Sequence, residues 1–332
     1  MSTVRLRDVA ERAGVSVGSA SRVINGYPNV GQDLRERVER AIAELGYRPN
    51  LLAQGLRTRR AQLVSLIVPD ITNPFFAELA RELELACSAA GYQLLLANSM
   101  ESPGMEQQSL AAALDHSPGG VILVPTASTT GLPDTSGVQV VVCDRRLPGA
   151  AAPTVLSDNR QGATAAVAYL RGLGHTRIAC IAGPAGIGAA DERLSGYLAM
   201  SGGSEELVLR GPFSYEFGMA AAARLLDLPA PPTAIFASSD QQAIGVLHAC
   251  AIRGVQVPAE VSVCGFDAIP LSALTSPELT TVRQPIREMA ARSLRLLLGE
   301  RPAPGTTVML PTELIIRGSC GPPPRAEEGK AT

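Results

Sequence analysis

The chain has 332 residues and a formal net charge of −2, a length that suits two to three domains. Residues 1–60 carry eleven arginines against six acidic residues, so this head has a net charge of +5 and the remainder −7. A basic head on an acidic body is typical of a phosphate-binding module joined to a different domain. The sequence contains no run of 18 apolar residues, which argues against a membrane span.

The six cysteines form neither a CxxC motif nor a Cys/His cluster, so we predict no metal site. No recognisable export signal precedes the basic head, and scattered thiols suit a reducing compartment, so we expect a cytoplasmic protein. We also find no Ser/His/Asp, Cys/His or paired-carboxylate arrangement at motif spacing. An enzyme is therefore a weaker hypothesis than a binding protein, and we predict no catalytic residues.

The first two predicted helices form the most informative motif of the chain. The apolar residues of the first helix recur at i, i+3, i+4 and i+7: Leu6, Val9, Ala10 and Ala13. Gly14 permits the left-handed turn that ends a helix, and Ser16 can cap the next helix. In that second helix the inward face is predicted to be Ala20, Val23 and Ile24, and the outward face Val17, Gly18, Ser21 and Arg22. This pattern predicts a helix-turn-helix, and a solvated helical hairpin is the alternative.

A third amphipathic helix and a short basic segment complete the head. The third helix has apolar positions from Leu34 to Leu45 and stops at Gly46. Asn50 can cap a further helix from Leu51 to about Arg57, which is too short to be stable alone. We expect that helix to form only against DNA or a second copy of itself.

These N-terminal motifs resemble the DNA-binding head and hinge of the LacI/GalR transcriptional regulators, and the resemblance extends from residue 4 to about 318. It implies that helix 17–25 enters the major groove and that Leu56 is the hinge leucine that wedges into the minor groove. Arg22 is the expected base reader, because arginine to guanine is the commonest specific contact. Gln54 and Gly55 depart from the usual Arg-Ser, so hinge ordering should depend more on the operator. The predicted DNA-binding residues are Ser16, Val17, Gly18, Ser19, Ser21, Arg22, Asn25, Asn50, Ala53 and Leu56.

From residue 63 onward, short apolar runs alternate with helical patterns, which predicts parallel sheets covered on both faces. The predicted strands are Leu63–Val68, Gln93–Ala97, Gly120–Val124, Val138–Cys143, Arg177–Ala182, Ala234–Ala237 and Ser262–Gly265. The predicted helices are 75–90, 105–115, 160–173, 190–200, 215–227, 239–253 and 286–299.

The resemblance implies a sensor similar to periplasmic sugar-binding proteins, with two doubly wound parallel-sheet subdomains and a ligand cleft between them. The fold class is thus an all-α helix-turn-helix head joined to an α/β body. The expected boundaries are 1–49 for the head, 50–61 for the hinge and linker, 62–320 for the effector-binding and dimerisation domain, and 321–332 for a disordered tail. The N-subdomain is expected at 62–159 and 285–308, and the C-subdomain at 160–284 and 309–320.

The first predicted effector residues lie in the N-terminal half. Phe75 and Phe76 fall where the family stacks aromatic rings on its effector, with ordinary core packing as the alternative. Arg145 follows the predicted strand Val138–Cys143, and a solvated ion pair with Asp144 is the alternative. Asp158 lies at the first crossover between the halves, where a simple turn is an equal alternative.

The remaining candidates lie in the C-terminal half. Arg193 matches the family's cleft arginine and could fork onto vicinal hydroxyls or a carboxylate. Asp240 opens a helix after a strand, so it could hold a ligand hydroxyl, and a helix cap is the alternative. Phe213 is expected to form an aromatic wall. The loop 183–188 lacks the G-x-G-x-x-G order, so we expect no cofactor. Segment 198–207 is shorter than the family pattern, which we expect to loosen Arg193.

The resemblance therefore implies a ligand-responsive repressor of carbohydrate uptake or catabolism genes that binds a near-palindromic DNA operator as a homodimer, with a tetramer left open. The expected effector is a sugar or sugar derivative. Two alternatives remain: a regulator that senses a nucleobase or nucleoside, and a solute-binding component. The latter would need an export signal and no basic head. No membrane partner is expected.

Overall fold

The computed structural model describes residues 4–24, 27, 30–47, 62–135, 137–202, 205–299 and 302–324. The chain divides into two compact units, Met1–Gln62 and Leu63–Thr332. Within the described residues, none of the helices is long and apolar enough to cross a membrane.

The first unit contains the three helices that the sequence predicts: α1 (Leu6–Ala13), α2 (Val17–Ile24) and α3 (Gln32–Leu45). Gly14 ends α1 with φ of 66° and Gly46 ends α3 with φ of 61°, conformations that cost glycine least. The Ser16 hydroxyl accepts a 3.1 Å hydrogen bond from the Ser19 amide and caps α2 as predicted. A small core of aliphatic residues from all three helices, centred on Val9 and Val38, holds the unit together.

The outward face of α2 is largely as predicted, with one correction. Val17 is 43% exposed and Arg22 is exposed, but Ser21 is only 6% exposed. Ser21 follows buried Ala20 and precedes Ile24 by three residues, so the inward stripe of α2 is wide enough to include it. The predicted DNA contacts Asn25, Asn50, Ala53 and Leu56 lie outside the described residues.

The second unit begins with a six-stranded sheet of strand order β11-β5-β4-β3-β1-β2. All of its pairings are parallel. Its elements are β1 (Leu63–Val68), α4 (Pro74–Ala89), β2 (Gln93–Asn98), α5 (Pro103–His116), β3 (Val121–Leu123), β4 (Val140–Cys143), β5 (Thr154–Ser157), α10 (Ile286–Leu298) and β11 (Thr307–Leu310). The pairing of β1 with β2 begins at Leu63 opposite Gln93.

A second six-stranded sheet has the order β12-β10-β9-β8-β6-β7, and only its edge strand β12 runs antiparallel, against β10. Its elements are α6 (Asn159–Gly172), β6 (Ile178–Ala182), α7 (Gly188–Ser201), a 3₁₀ turn (Glu205–Leu207), β7 (Val208–Arg210), α8 (Tyr215–Leu226), β8 (Ala234–Ala237), α9 (Asp240–Arg253), β9 (Ser262–Asp267), a 3₁₀ turn (Pro270–Ala273), β10 (Thr280–Arg283) and β12 (Glu313–Ile315).

The predicted fold class is confirmed, because both sheets are parallel-dominated and their central strands β1, β4, β6 and β8 are buried on both faces. Every strand and helix predicted within the described residues is present within a few residues, and the predicted hinge helix from Leu51 to about Arg57 lies outside them. The sequence analysis missed five strands of three or four residues: β5, β7, β10, β11 and β12. Runs this short carry too few residues for their periodicity to stand out.

Two expected boundaries differ from the structure. Strand β11 pairs with β5 through Leu310, so the chain leaves the first sheet after residue 310 and not after 308. The tail begins later than residue 321, because the Gly321 amide donates to the Ser262 hydroxyl at 3.0 Å and the Gly321 carbonyl accepts from it. Hydrogen bonding to a buried strand residue holds that position against the second sheet.

Candidate functional site

A small cavity lies between the two sheets, and its walls come from both of them. Asp267 is the last residue of β9, and the other lining residues follow the carboxyl ends of β1, β4, β6 or β7, the edge where open parallel sheets bind ligands. The lining residues are Asn73, Phe75, Phe76, Asp144, Arg145, Ile187, Ala189, Arg193, Phe213 and Asp267.

The aromatic wall of the cavity comes from the start of α4. The Asn73 side chain caps this helix by accepting a 3.1 Å hydrogen bond from the Phe75 amide, and Pro74 occupies the first helical position. The turn presents Phe75 and Phe76 to the cavity in an edge-to-face pair with centroids 5.2 Å apart. Both rings also belong to the core of the first half, so lining and packing are combined.

Phe213 forms part of the opposite wall, and a glycine makes room for it. A Cβ built on Gly183 would lie 2.3 Å from the Phe213 Cζ, so any side chain at position 183 would displace the ring. Gly183 therefore makes room for the Phe213 ring, and Ile187 of the same loop lines the cavity.

Arg193 is buried in the cavity wall and its guanidinium is held on several sides. Its Nε donates to the Asn159 Oδ1 at 2.8 Å, and its Nη1 donates to the Ser238 carbonyl at 2.7 Å and to the Asp267 Oδ1 at 3.0 Å. The guanidinium carbon lies 3.9 Å from the centroid of the Phe266 ring, a cation–π stacking distance. The expectation that a shortened 198–207 segment would loosen Arg193 was wrong, because none of these partners belongs to that segment.

Asp267 is a cavity residue that the sequence analysis missed. Its Oδ1 accepts from Arg193 and from the Gln284 Nε2 at 2.8 Å. Burial raises the pKa of Asp267 to about 6, and the Arg193 charge is the largest influence that opposes this rise. The predicted strand ended at Gly265, two residues short of the observed end of β9. The rule that carboxyl-terminal strand ends face ligands would have found Asp267 had the strand been predicted at full length.

Arg145 lines the cavity as predicted, but its charge is already paired. Its Nη1 and Nη2 donate to the two Glu101 carboxylate oxygens at 3.1 and 2.7 Å, and Nη1 also donates to the Pro125 carbonyl. Such a two-point pairing fixes the planar guanidinium in one orientation. The guanidinium carbon of Arg145 lies 5.6 Å from the centroid of the Phe76 ring. Arg145 thus supports the aromatic wall and has its charge matched by Glu101.

Asp144 carries the unsatisfied polar atom of the cavity. Its Oδ1 is buried and has no hydrogen-bond partner among the described residues, while its Oδ2 lies 3.9 Å from the Arg145 Nε. Burial raises the pKa of Asp144, since a carboxylate is poorly solvated there. A buried acceptor with no donor is costly, so this oxygen is suited to accept a hydrogen bond from a group that enters the cavity.

Two predicted effector residues do not line the cavity. Asp158 instead caps α6, because its carboxylate accepts a 2.9 Å hydrogen bond from the Gln161 amide. The neighbouring residue Asn159 is the one that contacts Arg193. Asp240 is 0% exposed, and both of its carboxylate oxygens accept hydrogen bonds within the protein. Asp240 is not the cap of α9 either, because the Ser239 hydroxyl accepts from the Gln242 amide.

Among the described residues no cluster of three or more His, Cys, Asp or Glu side chains could hold a metal ion. The cavity residues described above offer hydrogen bonds and aromatic faces to a bound molecule.

Comparison with known proteins decides the family. The model of the bacterial regulatory proteins, lacI family, matches residues 5–50, and that of the periplasmic binding protein-like domain matches residues 167–320. The chain is 34% identical over 330 residues to the HTH-type transcriptional repressor CytR of Escherichia coli (strain K12), covering 95% of each. The chain belongs to the lacI family of bacterial regulatory proteins.

Solved structures of lacI-family proteins share both units of this chain. A lac repressor dimer bound to operator and the anti-inducer ONPF superposes with a TM-score of 0.81 at 26% identity, covering 96% of this chain and all of that one. A complex of the transcriptional regulator CelR with cellobiose superposes with a TM-score of 0.69 at 33% identity, covering 95% of this chain and 99% of that one. This lacI-family chain is accordingly a transcriptional regulator with a DNA-binding head and an effector-binding body.

Proposed function

We propose that this lacI-family regulator is a repressor whose DNA affinity is set by a small, donor-rich effector bound between the two halves of its body. The observation that carries the proposal is the buried Asp144 Oδ1, an acceptor without a donor in a cavity walled by both sheets. A ligand that donates to it would also contact Arg193 and Asp267 from the second sheet. Such a ligand would bind better when the two halves lie close together. It would therefore shift the equilibrium between open and closed bodies toward the closed one.

The charges of the cavity favour an effector without phosphate or carboxylate groups. The guanidinium groups of Arg145 and Arg193 are each paired with a carboxylate, from Glu101 and Asp267. Asp144 is a third carboxyl group in the same region, so acids outnumber bases. An anionic effector would have to displace Glu101 or Asp267 from its arginine. Hydroxyl or ammonium groups could donate hydrogen bonds to the carboxylate oxygens without breaking either pair.

A sugar or sugar derivative fits this description, since it combines many hydroxyl donors with an apolar ring face suited to Phe75, Phe76 or Phe213. A nucleoside is the second candidate, because a flat base could lie against the same rings while its ribose hydroxyls meet the acids. Binding rather than chemical conversion of the effector is the proposed role of the site.

On the DNA side, we propose that two copies bind a near-palindromic operator, each placing α2 in the major groove with Arg22 reading a base. The hinge at 50–61, with Leu56 as its wedge, would couple the body to the head. The proposed compartment is the cytoplasm, where operator DNA is found.

A gel-shift experiment with the DNA upstream of the chain's own gene tests the regulator. Arg22→Ala should lower specific affinity by about 1–3 kcal/mol per half-site and leave weak salt-sensitive binding, because the phosphate contacts remain. Arg40→Ala, which removes the same charge from an exposed position on α3, is the matched control. An Arg22→Ala variant that keeps wild-type sequence preference would show that α2 is not the reading helix.

Isothermal titration calorimetry on the full chain tests the effector class. The panel pairs neutral compounds (ribose, glucose, cellobiose and adenosine) with the corresponding phosphate esters. A neutral compound should bind at least about tenfold more tightly than its phosphate ester, a difference of about 1.4 kcal/mol. Tighter binding of a phosphate ester would refute the charge argument.

A further inference from the structure

Resting on the proposed effector site, we propose that Asp240 is a positioning residue: it never touches the effector, but it fixes the turn that aims Asp267 into the cavity. The Asp240 carboxylate lies outside the cavity lining, yet it is bonded to the segment that directly follows Asp267.

The turn after β9 has an unusual backbone. Asp267 has φ of 114° and Ala268 has φ of 56°, so two consecutive residues other than glycine adopt left-handed conformations. Such conformations are strained and persist only where their surroundings hold them. The strained pair includes the carboxylate that binds Arg193, which suggests that the strain serves the placement of Asp267.

Asp240 supplies the restraint at the far end of this turn. Its Oδ2 accepts a 2.8 Å hydrogen bond from the Ile269 amide, the first backbone donor after the strained pair. Its Oδ1 accepts a 2.5 Å hydrogen bond from the Thr281 hydroxyl on the neighbouring strand β10. The bond to the Ile269 amide is therefore the one that restrains the turn, and Ser272 also holds the Ile269 carbonyl by donating its hydroxyl at 2.7 Å.

The surroundings of Asp240 also bring it close to the strand that carries Asp267. A Cβ built on Gly265 would lie 2.3 Å from the Asp240 Oδ1, so glycine at this position lets the carboxylate reach the strand. Two residues before Asp240, the Ser238 carbonyl accepts from Arg193 at 2.7 Å. The segment 238–240 thus restrains both members of the Arg193–Asp267 pair, one at each end.

The role is positional rather than electrostatic, and this distinction can be tested. Burial raises the pKa of Asp240 well above that of an ordinary aspartate, and the proximity of Asp267 raises it further. A neutral side chain of the same shape should therefore serve as well. Asparagine can accept from the Ile269 amide with its oxygen and donate to the Thr281 hydroxyl with its nitrogen.

The experiment compares Asp240→Ala, Asp240→Asn and Thr281→Val in the full chain. Hydrogen exchange at the Ile269 amide should accelerate at least tenfold in Asp240→Ala and stay within about threefold of wild type in the other two. Affinity for the compound that binds wild type most tightly among ribose, glucose, cellobiose and adenosine should fall at least tenfold in Asp240→Ala only. Operator affinity in the absence of that compound should not change, as the head is untouched.

Three results would overturn the proposal. One is an Asp240→Ala variant with rapid Ile269 exchange and wild-type effector affinity. Another is an Asp240→Asn variant that protects Ile269 yet binds tenfold more weakly, since charge would then act directly. The third is a loss of affinity in Thr281→Val as large as that in Asp240→Ala, with Ile269 still protected.

Two further arms keep the proposal decidable. If Asp240→Ala does not fold, the Asp240→Asn and Thr281→Val comparisons still apply as stated. If no compound of the panel binds wild type, the proposed effector class fails on its own, and crystal structures decide the positioning role. The Arg193 Nη1 to Asp267 Oδ1 distance should then exceed 4 Å in the alanine variant and stay near 3.0 Å in Asp240→Asn. An unchanged distance in the alanine variant would refute the role.

Discussion

Arg193→Met is the substitution whose consequences follow most directly from the structure. Methionine keeps much of the apolar stem but removes the donors that meet Asn159, the Ser238 carbonyl and Asp267. Breaking one side of a buried ion pair leaves an uncompensated charge and typically costs about 3–5 kcal/mol. Here the cost should fall at low pH. Arg193 is the largest influence holding down the pKa of Asp267, which lies at about 6, so this pKa rises further in the variant.

The sign of the pH effect distinguishes this explanation from simple loss of packing. Above pH 7 the variant must either keep a bare buried carboxylate or take up a proton, and both cost free energy. Near pH 5 the Asp267 carboxyl is protonated in both proteins, so much of the difference disappears. Urea unfolding of the body, followed by far-UV circular dichroism, should show a loss of several kcal/mol at pH 7.5 and a clearly smaller loss at pH 5.

A matched control comes from Arg210, whose ion pair with Asp191 is partly exposed to solvent. Arg210→Met should cost about 0–1 kcal/mol, with little dependence on pH, because exposed pairs contribute little. The reasoning fails if Arg193→Met costs no more than this control at pH 7.5, or if its cost is the same at both pH values.

Three more outcomes are expected. The wild-type protein should lose about 3 kcal/mol of stability as the pH rises from about 4 to about 6, because the native pKa of Asp267 is about 6 and the ordinary value is 3.8, so the folded state holds an extra proton in that range. In Asp267→Asn this pH-dependent loss should disappear, which urea titrations at several pH values would measure. Gly218→Ala should destabilise the body by about 1–3 kcal/mol, because its Cβ would lie 2.1 Å from the Gln242 carbonyl oxygen; Gly104→Ala, with only a 4.0 Å neighbour, is the neutral control in the same thermal melts. Leu56→Ala should weaken operator binding in gel shifts and leave calorimetric effector affinity off DNA unchanged, since the wedge acts on bent DNA; an operator that binds equally well and stays unbent would contradict the hinge role.

The order of the fold was accessible from sequence because the central strands of each sheet are buried on both faces, and such strands appear as unbroken apolar runs. The site was accessible in part. Phe75, Arg145 and Arg193 were found because each follows a predictable strand or motif. Asp267 was missed because Gly265 and Asp267 interrupt the apolar run of β9, so the predicted strand ended at Gly265.

The error at Asp240 has a different physical origin. Its position, at the start of a helix after a parallel strand, is the same as that of many ligand-binding acids. What removes it from the cavity is the absence of a side chain at Gly265 and the presence of Thr281, both distant in sequence. Only the packing of the start of α9 against β9 and β10 reveals which carboxylate faces the cavity and which faces the protein.

The places where the chain passes between the two sheets have a mechanical consequence. There are three passages, after β5, β10 and β11, and the first and third are joined where the Thr312 hydroxyl donates to the Asp158 carbonyl at 3.3 Å and to the Gln161 side chain at 2.8 Å. In one sheet β5 and β11 are neighbours, and in the other β10 and β12 are, so the passages run side by side. Three connections that run side by side restrict twisting and sliding of the two sheets against each other. They still allow the sheets to rotate about the line along which the connections lie. Whatever molecule enters the cleft, the movement it can impose on the body is confined largely to opening and closing about that one line.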